Sequence, residues 1–172
     1  GAVAFGAGAD TFHINGGFYF GRVTDTDGAL TVDVSNGGLV FNGGTLNITQ
    51  AHFGSGGQLG VVLSTSPSLT TFINASGTVT FDAGASITPI IPIGLPVSGT
   101  YDFLTAGTLV GASNVVRTIT GAGTPYIYNL AVQVDPGDAN TLQAVFALKT
   151  PAQLGLNPNQ SAAFNPIINA LR

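Results

Sequence analysis

The two histidines, His13 and His52, are the first residues to consider for chemistry, because an imidazole can bind a metal ion or move a proton. Neither lies at a spacing that places two ligands on one ion, and the chain has no cysteine. Ser55 lies near His52 but in Gly54-Ser55-Gly56, which lacks the Gly-x-Ser-x-Gly pattern of a serine hydrolase. We therefore predict neither a metal site nor a serine nucleophile.

The carboxylates offer two further candidate sites. Asp25 and Asp27 could act as the paired acids of a polysaccharide-cleaving enzyme, but Thr24-Asp25-Thr26-Asp27-Gly28 is typical of a turn. Gly6-Ala7-Gly8-Ala9-Asp10-Thr11-Phe12 matches part of a calcium-binding nonapeptide, a site that needs neighbouring copies. We interpret both segments as ordinary turns. The sequence thus predicts no catalytic, cofactor-binding or metal-binding residue, and no cofactor.

Three tyrosines and two glycosylation sequons remain. Tyr101, Tyr126 and Tyr128 could form a sugar-stacking platform, but alternating aromatic residues more often pack in a core, and we predict packing. The sequons begin at Asn47 and Asn74, which we interpret as polar positions on strand faces.

Composition limits the class of protein. Charged residues make up 7% of the 172 residues, against about 25% in an ordinary domain. The net charge of −4 provides no basic surface, so nucleic acid and anionic membranes are not expected partners. The apolar-rich run Ile87–Val97 contains three prolines and is too short to span a bilayer. Because methionine is absent, we expect a processed, soluble fragment without membrane insertion.

Alternation of apolar and polar residues predicts many short strands in the first half of the chain. These strands are Thr11–Asn15, Ala29–Ser35, Leu39–Phe41, Thr45–Thr49, Gln58–Leu63, Thr70–Ile73, Thr78–Phe81 and Ser86–Thr88. Glycine doublets, which tolerate positive φ, are predicted to form the turns between strands. The doublets are Gly16-Gly17, Gly37-Gly38, Gly43-Gly44 and Gly56-Gly57.

The second half of the chain predicts longer elements. Strands are expected at Thr100–Gly107 and Val115–Thr120, and a hairpin pairs Tyr126–Val134 with Thr141–Leu148 around a turn-rich segment. Asn157-Pro158 is typical of a helix start. The helix is predicted to bury an apolar stripe and to break or kink at a proline. The stripe is Ala162, Ala163, Phe164, Ile167, Ile168 and Leu171, and the proline is Pro166.

The glycine-separated strands favour an all-β fold, and among such folds a β-solenoid. In a solenoid, stacked rungs bury the apolar side chains that one rung alone would leave exposed. A β-sandwich is the alternative. We predict one continuous domain in which residues 1–124 form solenoid rungs, 125–149 a capping hairpin, and 150–172 a linker and a short terminal helix.

Three stretches resemble the C-terminal end of an autotransporter (type V secretion) passenger. The glycine ladder from Gly43 to Ile87 is the first, and Gly99–Gly111 is similar to the family's terminal rung. The third, Leu154–Ala163, resembles the segment that leads into the membrane barrel. The resemblance covers roughly residues 28 to 172. It implies a right-handed parallel β-helix, an autochaperone-like end that folds first, and a place outside a Gram-negative outer membrane.

We therefore expect a non-enzymatic extracellular module, the end of an autotransporter-like passenger, that acts as a surface stalk or adhesin scaffold and as a folding nucleus. One alternative is a self-assembling subunit of a fibre or surface layer, because low charge and open solenoid ends favour strand addition. The other is a carbohydrate-active β-helix enzyme. The expected partners are further copies of the chain, joined through solenoid ends, or a host or matrix ligand.

Overall fold

The computed structural model describes residues 1–42, 44–63, 71–91, 98–119 and 126–170. Several predictions fall partly outside these residues: Gly43 of one doublet, the strand ends Thr70 and Thr120, and Leu171 of the helix. Strands account for 64% of the described residues, which contain one short α-helix. The prediction of an all-β fold is therefore confirmed.

The strands and the helix are defined here by their residues. In chain order they are β1 (Ala2–Phe5), β2 (Thr11–Asp25), β3 (Thr31–Phe41), β4 (Thr45–Ile48), β5 (Gln50–Val62), β6 (Phe72–Phe81), β7 (Ser86–Ile90), β8 (Gly99–Val110), β9 (Arg117–Ile119), β10 (Tyr128–Asp135), β11 (Asp138–Leu148) and α1 (Pro158–Ala170).

The described strands form one mixed sheet with the order β1-β2-β3-β5-β6-β8-β11-β10-β9, while β4 pairs with β6 and β7 with β5. Every pairing from β1 to β8 is parallel. The pairings of β8 with β11, β11 with β10, and β10 with β9 are antiparallel. The sheet therefore changes from parallel to antiparallel pairing at β8.

Apolar side chains of successive parallel strands lie in register and form columns in the core. Val34 pairs with Phe53, and Phe53 with Phe81, which places the three side chains in one column. All three are at most 1% exposed. The rings of Phe53 and Phe81 are stacked, with centroids 5.0 Å apart and planes 10° apart. Because each strand covers the previous one, a residue's apolar contacts come from the neighbouring strands.

The doublets at 16–17, 37–38 and 56–57 lie inside strands, so the prediction that they separate strands was wrong for these three, whereas Gly44 of the fourth lies between β3 and β4. Gly16-Gly17 lies within β2 and Gly37-Gly38 within β3, where the register shifts between the paired strands. Gly37 has φ of +102°, and a Cβ added there would collide with the carbonyl oxygen of Gly17. The doublets thus bend continuous strands at stacked positions, and short predicted strands merge into longer ones.

The predicted hairpin is confirmed. β10 and β11 pair antiparallel from Tyr128 opposite Leu148 to Asp135 opposite Asp138. The backbone N–H of Gly137 donates to the side chain of Asp135 (2.9 Å), which stabilises the tight turn. The predicted strand Val115–Thr120 is shorter, since a 3-10 turn occupies Ala112–Asn114 and β9 begins at Arg117.

Helix α1 begins as predicted, but its buried stripe is narrower. The backbone N–H of Gln160 donates to Asn157 Oδ1 (3.0 Å), and that of Asn157 to Gln160 Oε1 (2.9 Å), which together form a capping box. Pro166 lies inside the helix, which continues to Ala170. Only Phe164 and Ile168 of the predicted stripe are buried among the described residues.

Candidate functional site

Both histidines belong to one line of polar side chains that crosses β2, β3 and β5 and ends directly after β6. We call it the His–Asp ladder and define it as His13, Asp33, His52 and Asp82. His13 Nδ1 lies 2.8 Å from Asp33 Oδ2, and His52 Nδ1 lies 3.1 Å from Asp33 Oδ1. His52 Nε2 lies 3.1 Å from Asp82 Oδ2. Histidines and carboxylates therefore alternate along the ladder.

Strand register positions these side chains. His13 of β2 pairs with Asp33 of β3, which pairs with His52 of β5. Asp82 directly follows β6, and its backbone N–H donates to the carbonyl of Phe53 (2.9 Å). The neighbouring column of Val34, Phe53 and Phe81 points into the core, so the ladder lies on the opposite, solvent-facing side of the same strands. The core thus fixes the backbone that brings the four groups together.

His52 can satisfy both of its carboxylate neighbours only when it is protonated. A neutral imidazole has one N–H donor, whereas the imidazolium has two. Burial opposes protonation, but the hydrogen bonds and charges of Asp82 and Asp33 outweigh it, so the pKa of His52 is raised above its ordinary 6.5. The ladder can therefore hold a proton on His52, between two carboxylates, at a higher pH than an isolated imidazole would.

The raised pKa predicts a pH-dependent stability. A group with a raised folded-state pKa stabilises the fold fully below its unfolded pKa, and the contribution is lost as the pH rises through the folded value. We expect the free energy of unfolding to be higher at pH 6 than at pH 8.5. Because the His52 side chain is 45% exposed, solvent limits this difference to below about 1 kcal/mol. Denaturant unfolding at the two pH values measures it.

His52→Gln is expected to remove most of this pH dependence, because glutamine does not titrate. His13→Gln is the matched control, since His13 contacts the single carboxylate of Asp33 and has no resolved second partner among the described residues. A histidine NMR titration of the parent chain gives the pKa directly. An unchanged pH dependence in His52→Gln, or a titration below 6.5, would contradict the interpretation.

A small pocket of about 240 Å³ adjoins the ladder. Its wall includes His52, the amide side chain of Gln50 and the hydroxyl-bearing residues Thr31, Thr78 and Thr80. Although these residue types are polar, most of the surface that lines the pocket is apolar. Within the described ranges, no group of three or more histidine, aspartate or glutamate side chains is arranged to hold a metal ion.

Asp25 is the last residue of β2, and Asp27 lies in the bend that follows, so the turn prediction holds for Asp27 but not for Asp25. Asp27 accepts backbone hydrogen bonds from Gly8 (2.7 Å) and Ala29 (3.0 Å). These bonds favour the ionised form, and the pKa of Asp27 is lowered. Asp25 accepts a hydrogen bond from the backbone N–H of Leu30 through Oδ2. Gly8, in the segment compared with a calcium nonapeptide, is therefore tied to the neighbouring turn by Asp27.

Ser55 is not brought into hydrogen-bonding geometry with an imidazole that could activate it, because both ring nitrogens of His52 contact carboxylates.

The two sequon asparagines stack, with Asn74 Nδ2 donating to Asn47 Oδ1 (3.1 Å). Both positions lie on a polar strand face, as predicted.

The tyrosine prediction holds for two of three residues. Tyr128 is 1% exposed, and both Tyr101 and Tyr128 contact the ring of Phe146 edge-on. Tyr126 is 74% exposed and carries the ammonium of Lys149 4.8 Å from its ring centroid. The prediction of packing was wrong for Tyr126, which lies just before β10 rather than on its packed face.

The His–Asp ladder was missed because the sequence was searched for short metal-binding spacings. His52 lies 19 residues after Asp33 and 30 residues before Asp82. These separations are the lengths of chain between stacked strands, so a search at the spacing of the rungs would have aligned the four residues.

Comparison of the chain with protein-family models, with curated proteins and with solved structures found no match. In the part of the chain that the structure describes, no helix has both the length and the apolar character needed to cross a membrane.

Proposed function

We propose that this chain is a non-enzymatic structural module, a right-handed parallel β-helix that forms the C-terminal end of an autotransporter-like passenger. In this proposal it acts outside the cell, at a bacterial outer-membrane surface, as a stalk or adhesin scaffold. Its C-terminal strands serve as the folding nucleus.

The observation that carries this proposal is the succession of parallel pairings β1-β2-β3-β5-β6-β8, each later strand covering an earlier one. Connections between parallel strands of one sheet are right-handed in about 98% of cases, which supports the proposed handedness. The core columns, such as Val34, Phe53 and Phe81, run across these strands. Stacking of this kind gives an extended body whose stability comes from contacts between neighbours.

The roles of the carboxylates favour a structural module over an enzyme. Asp27 accepts hydrogen bonds from turn backbone, and Asp138 accepts them from the Asn140 backbone and the Thr141 hydroxyl; the pKa of each acid is lowered by these bonds. Asp102 accepts from the side chain of Gln143, and Asp33 and Asp82 contact His52. These groups bind neighbouring strands and turns, which is a structural use of an acid.

The antiparallel end supports the role of a folding nucleus. β10 and β11 are joined by a tight turn, so their contacts form between residues close in sequence. Local contacts have a low loop-closure cost and form early, whereas the parallel pairings must close longer loops. β8 pairs with β11 on one side and with β6 on the other, so it can pass order from the hairpin to the parallel strands.

Refolding kinetics of a matched pair of variants test the folding nucleus. Val132 in β10 and Val32 in β3 are each 1% exposed, so alanine at either position is expected to cost about 2 kcal/mol. Val132→Ala should slow refolding several-fold because its contacts are present in the transition state. Val32→Ala should leave refolding nearly unchanged and accelerate unfolding. The reverse ranking, or equal slowing by both variants, would overturn the proposed nucleus.

A second candidate, the self-assembling subunit, is favoured by one observation. Phe18 and Phe20 of β2 are 61% and 60% exposed, and their ring centroids are 6.5 Å apart. Within the described residues, β1 pairs with Arg22–Asp25 of β2 and therefore does not pair with Phe18 or Phe20. Association that grows with concentration in sedimentation velocity, and weakens in Phe18→Ser, would favour a fibre or surface-layer subunit over a monomeric stalk.

A further inference from the structure

An apolar pocket of about 370 Å³ lies between the base of the β10–β11 hairpin and helix α1. Tyr126 contributes from the segment before β10, Leu154 and Leu156 from the segment after β11, and Phe164 and Ile167 from the helix. The surfaces that line it are apolar. The pocket is therefore separate from the polar His–Asp ladder and plays no part in the proposed structural function.

Large apolar side chains at the mouth of this pocket remain in contact with water. Tyr126 is 74% exposed and Ile167 is 55% exposed, whereas Phe164 and Ile168 behind them are 8% and 5% exposed. Leaving apolar surface in water is unfavourable in proportion to its area, and exposed apolar patches commonly mark binding sites. A ligand with an apolar body would cover this surface.

A cation, Lys149, contacts one of the lining residues, Tyr126. The ammonium of Lys149 lies 4.8 Å from the Tyr126 ring centroid and donates to the Tyr126 carbonyl oxygen (2.7 Å). An ammonium has three donors, so two remain for another acceptor. The acids of the hairpin, Asp135 and Asp138, lie at its tip, at the end opposite the pocket. They are seven residue pairs away from Tyr128 and Leu148 at the base of the hairpin. At about 3.3 Å per residue, that tip is roughly 20 Å away.

We infer that this pocket binds a free aliphatic carboxylate, a medium-chain fatty acid, with its chain against Phe164 and Leu156 and its carboxylate on Lys149. Pockets of about 300–1,000 Å³ with an apolar wall and few polar groups are typical of small-molecule sites. A methylene group fills about the space of a liquid water molecule, roughly 30 Å³, so a chain of roughly ten carbon atoms fits. Charge complementarity with Lys149 selects an anionic head over a neutral one.

Titration calorimetry with octanoate, decanoate and dodecanoate below their micellar concentrations tests the chain. Each added methylene that enters the pocket should tighten binding about fourfold, or roughly 15-fold for two. The gain should stop once the chain exceeds the capacity of the pocket. A folded protein that shows no binding, or affinity independent of chain length, would overturn the inference.

Charge variants test the head group. Lys149→Gln should weaken decanoate binding about tenfold, the effect of losing one hydrogen bond to a charged group, and should leave decanol binding unchanged. Arg22→Gln removes a cation of strand β2, which contributes no residue to the pocket wall, and should alter neither affinity. Equal effects of Lys149→Gln on decanoate and decanol, or none on decanoate, would overturn the carboxylate assignment.

Ile167→Asp tests the location, because it places a like charge at the mouth of the pocket. Decanoate binding should be lost, whereas Val116→Asp, at an apolar residue that is 40% exposed and outside the pocket wall, should retain it. Circular dichroism checks that both variants are folded.

Two other occupants would each overturn the inference. If a second copy of the chain occupies the pocket, the protein should dimerise, Ile167→Asp should abolish the dimer, and decanoate should not compete with it. If a membrane occupies the pocket, the protein should float with phosphatidylcholine vesicles and should not bind monomeric decanoate.

Discussion

Replacing Phe53 with alanine is expected to lower the free energy of unfolding by about 3–5 kcal/mol, the usual cost of truncating a buried phenylalanine. Phe53 is fully buried and stacks on Phe81 with centroids 5.0 Å apart. It also lies in register with Val34 on the other side. Its removal opens a cavity between two strands, and neither neighbour can move inward without breaking the register of its own strand.

Chemical denaturation followed by far-ultraviolet circular dichroism measures this loss. Phe18→Ala is the matched control, because it removes the same side chain from a position that is 61% exposed. Exposed substitutions usually change stability by about 0.5 kcal/mol or less, so the two variants should differ by several kcal/mol. Equal losses in the two variants would show that the column of stacked side chains does not stabilise the sheet as described.

The second large effect is expected at a bend of the strands. Gly37→Ala should be destabilising for two reasons that can be separated. A non-glycine residue at φ of +102° is strained by about 1–3 kcal/mol. The new Cβ also collides with the Gly17 carbonyl oxygen of the adjacent strand, and relieving an overpacked contact of this kind typically costs about 1–3 kcal/mol more.

Gly16→Ala isolates the collision from the strain. Gly16 lies in the neighbouring strand with φ of +125°, but a Cβ there meets no atom within 4 Å. Both variants should lose stability, and Gly37→Ala should lose more by the cost of the collision. The same denaturation experiment compares them. If Gly16→Ala is at least as destabilising as Gly37→Ala, close approach between the stacked bends does not explain why glycine occupies position 37.

Local patterns predicted the polarity of the strands, the hairpin and the start of the helix. The alternation in Tyr128–Val134 and Thr141–Leu148 and the turn residues between them act over short distances, so the sequence specifies them directly. Asn157 and Gln160 form their capping box within a single turn. These predictions depended on residues that are close together in the sequence.

Features that depend on stacking between distant residues were harder to predict. Glycine doublets are typical of turns, yet Gly16-Gly17 and Gly37-Gly38 lie inside strands because each bend rests on the bend of the next strand. The His–Asp ladder likewise depends on which residue of β3 faces which residue of β5. Alternation alone does not fix register between strands, and a shift of two residues would keep every apolar side chain buried while separating His52 from Asp33.

Tyr126 and Ile167 show a different limit of the sequence. Their apolar character predicted burial, but Tyr126 precedes the paired part of the hairpin, and Ile167 lies beside the narrow contact made by Phe164 and Ile168. How much of an apolar helix face is covered depends on what lies opposite, and periodicity does not contain that information. The apolar pocket is the space that results.

The change from parallel to antiparallel pairing at β8 has a consequence for how such a chain can vary in length during evolution. In the parallel part, a duplicated segment could be inserted between two strands, because the strands on both sides of it would run in the same direction and offer the same pattern of pairing. The reversed strand β11 offers no such equivalence, since its direction is opposite to that of β8. Variation in length should therefore accumulate among the parallel strands, and the antiparallel end should keep a constant number of strands.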